Sequence, residues 1–362
     1  MKKIIINLFL LTFILLLILI TILSTVGIET NKFNKLISDK ASQYKNINLE
    51  LTTIKFRTNL KELSLFIETQ NPEITYKEIF VPVRSVNVYI DFLPLLKSEL
   101  KIKKTSLFLE ELDITQLNKL SFIIKPSNFK SILINKIKEG KVISEIEIFL
   151  SDQGKLKNFI AKGSVKDLKV ELFSDLNFNK LKLDFFADKN DILIKNVNGN
   201  FKDIKISEGD VKLNLENGIK LKSNFNSSVD LDEELIKNYY FLFEKYQFVK
   251  NVKNLKAELF NSVSINLDNT YKIQNYNYML SGLIENTKFK LLNPIKNNFT
   301  TKEVDEIYLS NFKISTNLKS KQINLKGDGK YSFDNQEFLK VNLENIIKKD
   351  IINLKFDFDY ME

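Results

Sequence analysis

From about residue 47 onward the chain alternates apolar and polar positions. Ile47, Leu49 and Leu51 form the first set, followed by Leu63, Leu65 and Ile67, by Val86, Val88 and Ile90, and by Leu107 and Leu109. A period of two places one set of side chains on one face of a half-buried strand. The pattern returns at Ile146, Ile148 and Leu150, at Leu181 and Leu183, at Ile323 and Leu325, at Val341 and Leu343, and at Leu354, Phe356 and Phe358. In all it predicts about eighteen to twenty antiparallel strands.

The turns can be argued from phase. In VKLNLENGIKL, a two-residue Asn217-Gly218 loop pairs Leu215 with Lys220 and sets apolar side chains on opposite faces. A three-residue loop, Glu216 to Gly218, pairs Leu215 with Ile219 and Leu213 with Leu221, so the pattern selects the longer loop. By the same reasoning a loop at Ser207 to Asp210 pairs Ile206 with Val211, and one at Asp188 to Asp191 pairs Phe185 with Ile194.

Two stretches carry a helical pattern within the strand-rich part. SNFKSILINKIKEG predicts a helix near 127–139, with Ser127 as N-cap, and DEELIKNYYFLFEKY predicts one near 231–246. Asp232, Glu233 and Glu234 complement the dipole of the second. A third, amphipathic segment, ETNKFNKLISDKASQYK, has Thr30 as its expected N-cap and either lies on a membrane surface or caps the first strands.

Before these segments, Ile4 to Ile28 carries no charge and is dominated by Ile, Leu and Phe. As a helix it is long enough for the ~30 Å hydrocarbon core, and its apolar run is too long for a cleaved signal peptide. Lys2 and Lys3 place the amino terminus in the cytoplasm and the bulk of the chain beyond the membrane. The domain reading is therefore 1–28 tail and transmembrane anchor, 29–120 a strand and helix cap, and 121–362 a strand meander.

Composition narrows the chemistry. The 362 residues include no Cys, His or Trp. That removes Ser-His-Asp and Cys-His machinery and thiolate or imidazole metal sites. Carboxylates are plentiful but do not fall in calcium-loop spacing, and Gly327-Asp328-Gly329-Lys330 is not a phosphate-cradling loop. The expectation is a non-enzymatic chain without metal or cofactor. The net charge of +9 arises from lysines spread singly between apolar residues, as in KLNLENGIKLK, so nucleic acid is not an expected partner.

Some twenty strands, each with one apolar face, need a partner layer, and three or four short helices cannot supply it. Heavily charged polar faces and the absence of Trp argue against a membrane barrel. Either a sandwich forms, or a long trough whose lining is filled from elsewhere.

The order of elements decides between them. A short tail, an uncharged span, then GIETNKFNKLISDKASQYKNINLELTTIKF, LKELSLFIETQNPEITY and VPVRSVNVYIDFLPLLKSELKIKKTSLFLEELDITQL resembles the amino-terminal region of AsmA-like proteins of Gram-negative bacteria. GSVKDLKVELF and the hairpins that follow resemble the AsmA/TamB repeating sheet, related in turn to chorein-type bridge-like lipid-transfer proteins. The resemblance implies a mainly β fold: one transmembrane helix, then an elongated, curved antiparallel groove with a few short helices. It also implies an inner-membrane anchor, a periplasmic body, and an apolar lining that holds or moves phospholipid acyl chains and supports outer-membrane homeostasis.

The groove-facing residues are then Val86, Val88, Ile90, Leu107, Leu109, Ile146, Ile148, Leu181, Leu183, Phe185, Ile194, Leu213, Leu215, Ile219 and Leu221. Asp91 and Pro94 frame a single turn in which Phe92, Leu93, Leu95 and Leu96 close the groove end. Twenty strands at ~4.8 Å spacing extend at most ~95 Å. The chain is accordingly a truncated or short member, or an outer-membrane or periplasmic partner completes the route. The competing reading is an anchored assembly factor for outer-membrane proteins, whose sheet edge recruits client strands.

Overall fold

The computed structural model describes residues 2–42, 47–60, 64–91, 101–121, 134–151, 155–173, 176–243, 250–270, 272–296, 303–320, 322–333, 335–348 and 351–359. It is mainly β, with twenty strands in one antiparallel sheet and few helices. Two compact units divide it: residues 1–165 with 186–189, and residues 166–185 with 190–362.

In the first unit, helix α1 (Lys2–Thr25) has 24 residues and would span about 36 Å at 1.5 Å per residue. Ile6–Thr25 within it is long and apolar enough to cross a membrane. Gly27 ends the helix in the left-handed conformation (φ 78°), where its N–H and that of Val26 both donate to the Ile22 carbonyl. A Cβ there would lie 2.7 Å from Cγ of both Lys55 and Arg57, so only glycine passes between them. The Arg57 guanidinium donates to the Thr25 carbonyl (2.9 Å), fastening the helix end to the sheet.

The strands of this unit are β1 (Ile28–Thr30), β2 (Ile47–Glu50), β3 (Thr53–Asn59), β4 (Ser64–Gln70), β5 (Glu73–Tyr76), β6 (Ile79–Asp91), β7 (Ile102–Leu109), β8 (Leu112–Asp113) and β9 (Ile137–Leu150). The register runs β1–β3–β4–β6–β7–β9; β2 and β5 pair beside the first residues of β6, and β8 pairs with β9. Strand β10 (Leu156–Phe173) follows on β9.

Helix α2 (Asn34–Ser42) starts later than Thr30, which lies in β1. It packs on β2, and the Asn34 side-chain amide donates to the carbonyls of Leu51 and Thr52. Of the two readings of this segment, the cap on the first strands is the one the packing matches. Helix α3 (Ile114–Ser121) packs against β6, β8 and β9.

The second unit is a meander. It comprises residues 166–173 of β10, β11 (Leu176–Ala187, all but its last two residues), β12 (Asp191–Phe201), β13 (Ile204–Asn214), β14 (Ile219–Asp232), β15 (Val252–Leu267), β16 (Ile273–Ile295), β17 (Val304–Lys319), β18 (Gln322–Ser332), β19 (Leu339–Lys348) and β20 (Ile351–Phe358). Each strand from β12 to β20 pairs with the next. The three-residue turn at Glu216 to Gly218 forms, with Leu213 opposite Leu221. Gly218 adopts φ 83°, and a side chain there would run into the Leu267 carbonyl.

Three expectations need correction. No loop interrupts Ser207 to Asp210; these residues continue β13, and the extra length is absorbed as a register shift against β14. The helix expected near 127–139 does not reach its end, because Ile137, Lys138 and Glu139 already belong to β9; residues 122–133 lie outside the described residues. The one expected near 231–246 is shorter. Leu231 and Asp232 complete β14, helix α4 covers Glu233–Lys237, and a 3-10 turn covers Tyr240–Phe243. Residues 244–249 lie outside the described residues.

Candidate functional site: two half-covered apolar sheet faces

Directly opposed residues in antiparallel strands share a face, so the register shows which side chains line up. In the first unit one row runs Ile28, Phe56, Ile67, Val88, Thr105 and Ile148. The next runs Ile54, Thr69, Val86, Leu107 and Ile146. Ile90 lies opposite Leu65, and Leu109 opposite Val83. The expected residues Val86, Val88, Ile90, Leu107, Leu109, Ile146 and Ile148 therefore fall on one surface. Apart from the buried Ile90, all of them are half-buried. The Phe33 ring meets Phe56 edge-on at 5.9 Å and shields the start of this face.

The reverse face is polar and self-paired. Lys55 meets Glu29 at 2.8 Å, Arg57 meets Glu68 at 3.3 Å, and Lys104 meets Glu147 at 3.7 Å. Phe66 stacks on Tyr89 at 5.1 Å, with the Lys104 ammonium 4.4 Å from the Tyr89 ring centre. Each pair offsets its own charges on a face where Lys104 and Ser106 are themselves buried.

In the second unit a row of eight crosses from β12 to β19: Ile194, Val211, Ser223, Val263, Tyr278, Leu318, Ile323 and Ile347. A parallel row holds Ile192, Leu213, Leu221, Ile265 and Tyr276. Thus Ile194, Leu213 and Leu221 are on one surface, and Ile219 shares it opposite Leu267. Leu215 directly precedes the turn and is exposed. Leu181, Leu183 and Phe185 alternate along β11; Leu181 is buried against Gly199, while Leu183 and Phe185 are half-buried. Phe92, Leu93, Leu95 and Leu96 lie outside the described residues.

The lining includes Val263, Ile265, Leu318 and Ile347, which strand-by-strand reading did not single out. The same alternation marks them, but only the register assigns their face.

Coverage of this face is uneven. Asp232 caps α4 by accepting the Leu235 N–H, and Glu233 pairs with Lys253 at 2.6 Å. The helix so placed lays Ile236 and Tyr239 over Val229, Leu231 and Ala257, forming a buried cluster. A second cluster holds Phe312, Tyr331 and Val341. Both lie toward the α4 ends of the strands. The rows through Leu221 and Tyr278, near the other ends, contain no fully buried side chain. At β20, Leu354, Phe356 and Phe358 are 64%, 53% and 50% exposed. Among the described residues of this unit, α4 and the 3-10 turn are the non-strand elements that cover the face.

Tyr239 ties the helix down. Its hydroxyl accepts the Asp203 backbone N–H at 3.1 Å, and burial pushes its pKa up to about 12. The unfolded chain releases this proton near pH 10, so the stabilising contribution is complete below pH 10 and lost as pH rises toward about 12. Tyr239→Phe is expected to cost about 1 kcal/mol at neutral pH, by orphaning the Asp203 N–H. It should also flatten the decline between pH 10 and 12, read as the pH dependence of the denaturation midpoint. An unchanged decline would remove Tyr239 as its source.

Among the described residues no group of three or more carboxylates is placed to hold a metal ion. No protein-family model, curated protein or solved structure matches the chain.

Proposed function

We propose that this chain is a non-enzymatic, membrane-anchored protein whose apolar sheet faces hold or move phospholipid acyl chains, in the manner of the AsmA-like proteins its element order resembles. Helix α1 serves as a single-pass inner-membrane anchor with a cytoplasmic amino terminus. The remainder lies in the periplasm, where lipid passage between inner and outer membranes supports outer-membrane homeostasis. An outer-membrane or periplasmic partner completing that route is part of the proposal.

The observation that carries it is the half-exposed row from Ile194 to Ile347: apolar on one side, polar on the other, with no second sheet over it among the described residues of its unit. An uncovered apolar surface of this extent is costly in water. Each acyl methylene it shelters contributes ~0.8 kcal/mol. The surface needs no specific pocket, and a lining without one lets a chain slide.

A photoreactive benzoylphenylalanine replacing Val88 or Ile323 in the full chain, in a Gram-negative host, should yield lipid adducts detected by mass spectrometry. The same group at Asn87 or Asn324, on the reverse faces, should not. Equal yields on both faces would overturn the reading.

One feature favours an anchored assembly scaffold instead. Among the described residues strand β20 registers with β19 alone, and its exposed Leu354, Phe356 and Phe358 are offered beside the other edge. Under that reading, crosslinks from Leu354 go to polypeptide and not to lipid.

A further inference from the structure

Among the described residues β20 has a strand on one side only, and each of its residues from Asn353 to Asp359 is exposed. The Asp359 backbone N–H donates to the Lys340 carbonyl at 3.0 Å. Backbone groups alternate in direction along an antiparallel strand, so Leu354, Phe356 and Phe358 turn their N–H and C=O groups outward, away from β19. Open backbone and open apolar side chains therefore share one edge.

The reverse face sets what a neighbouring strand must carry. One row there runs Lys326, Glu344 and Lys355, and the next runs Lys313, Asp328, Asn342 and Asp357. Lys326 meets Glu344 at 2.7 Å, and Lys355 meets Asp357 at 3.0 Å along β20 itself. To keep the rows complementary, the next strand needs a carboxylate opposite Lys355, a cation opposite Asp357, and apolar residues opposite Leu354, Phe356 and Phe358.

A second β20 meets all of these requirements when it is laid antiparallel with the two Phe356 residues opposite each other. Lys355 then faces the second copy's Asp357, Asp357 faces its Lys355, and Leu354 faces its Phe358. Neighbouring registers fail. Centring on Lys355 or on Asp357 opposes like charges, a one-residue slip sets apolar against polar side chains, and in-register parallel pairing opposes lysine to lysine.

We propose that β20 pairs with β20 of a second copy of this chain about a twofold axis at Phe356, joining the second-unit sheets of the two copies edge to edge. A twofold interface presents one patch from both sides, so each demand of the edge must be met by the edge itself. The pairing is independent of what rests on the apolar faces.

The chain has no Cys, so a single introduced thiol is unique. In membranes holding the full chain, Phe356→Cys should oxidise to a disulfide-linked dimer, since opposed hydrogen-bonded residues have Cα atoms about 5.5 Å apart, within disulfide reach. Leu354→Cys alone should not, because its two copies stand four residues apart, about 14 Å. Mixed with Phe358→Cys it should. Charge supplies the second arm, read as the dimer fraction by light scattering of the full chain in detergent micelles. Lys355→Glu and Asp357→Lys should each weaken association at least tenfold. Their mixture should restore it as a heterodimer, because the like-charge contacts of each variant with itself become opposite-charge contacts between the two. Restoration also shows that neither variant has unfolded. A monomer at every concentration, a dimer indifferent to both charge changes, or a Leu354→Cys self-crosslink would overturn the proposal. Capture of Phe356→Cys by another polypeptide alone would overturn it too, and would give the edge to a client strand.

Discussion

Ala257→Asp is expected to unfold the second unit. Ala257 is 1% exposed, enclosed by Val229, Leu231, Ile236 and Tyr239 where α4 meets the sheet. A carboxylate there has no cation within the cluster, and burying such a group unpaired costs several kcal/mol. Domains of this kind are stable by about 5–15 kcal/mol, so one such change consumes much of the margin. Far-ultraviolet circular dichroism should show early melting or loss of the transition. A midpoint within a few degrees of wild type would mean that α4 does not seal the face as described.

Leu213→Asp should behave in the opposite way. Leu213 is half-buried, in the row with Ile192, Leu221, Ile265 and Tyr276, near the uncovered strand ends. Water reaches its side chain, so the new carboxylate stays hydrated and the melting midpoint should move by only a few degrees. Hydrocarbon resting on that row would meet a charge whose transfer into lipid costs about 3 kcal/mol. Lipid adducts from a neighbouring photoreactive position should therefore fall at least tenfold. If Leu213→Asp instead unfolds the chain as Ala257→Asp does, the row is ordinary solid core.

The contrast between these positions was not legible in the sequence. Leu213 and Val229 belong to similar alternating runs, and alternation reports a face without reporting what covers it. Position along the strand decides, because α4 and the 3-10 turn that follow Asp232 cover one end of the strands. The presence of a helix was readable there, since Asp232, Glu233 and Glu234 suit a helix N-terminus, although it starts two residues later than the expected 231. Its early end was not.

Phase arguments worked where a turn had one apolar solution, as at Glu216 to Gly218. They failed at Ser207 to Asp210, where polar residues with a glycine imitate a turn. Strands on both sides continue past that point, and the pairing of β13 with β12 and β14 absorbs them as irregular register, with Glu208 in the left-handed region. At Ile137 to Glu139 helical spacing lost to strand formation, because these residues begin β9, which pairs with β10. The common face of Val86, Val88, Leu107, Ile146 and Ile148 was legible because each run kept strict alternation, and the register aligned them without a slip.

Most direct would be an experimental density map of the full chain in lipid nanodiscs, at a resolution where acyl chains are visible. The account predicts tubular density lying on the row from Ile194 through Tyr278 to Ile347. A second layer of protein packed against that row, or bare water over it, would contradict it.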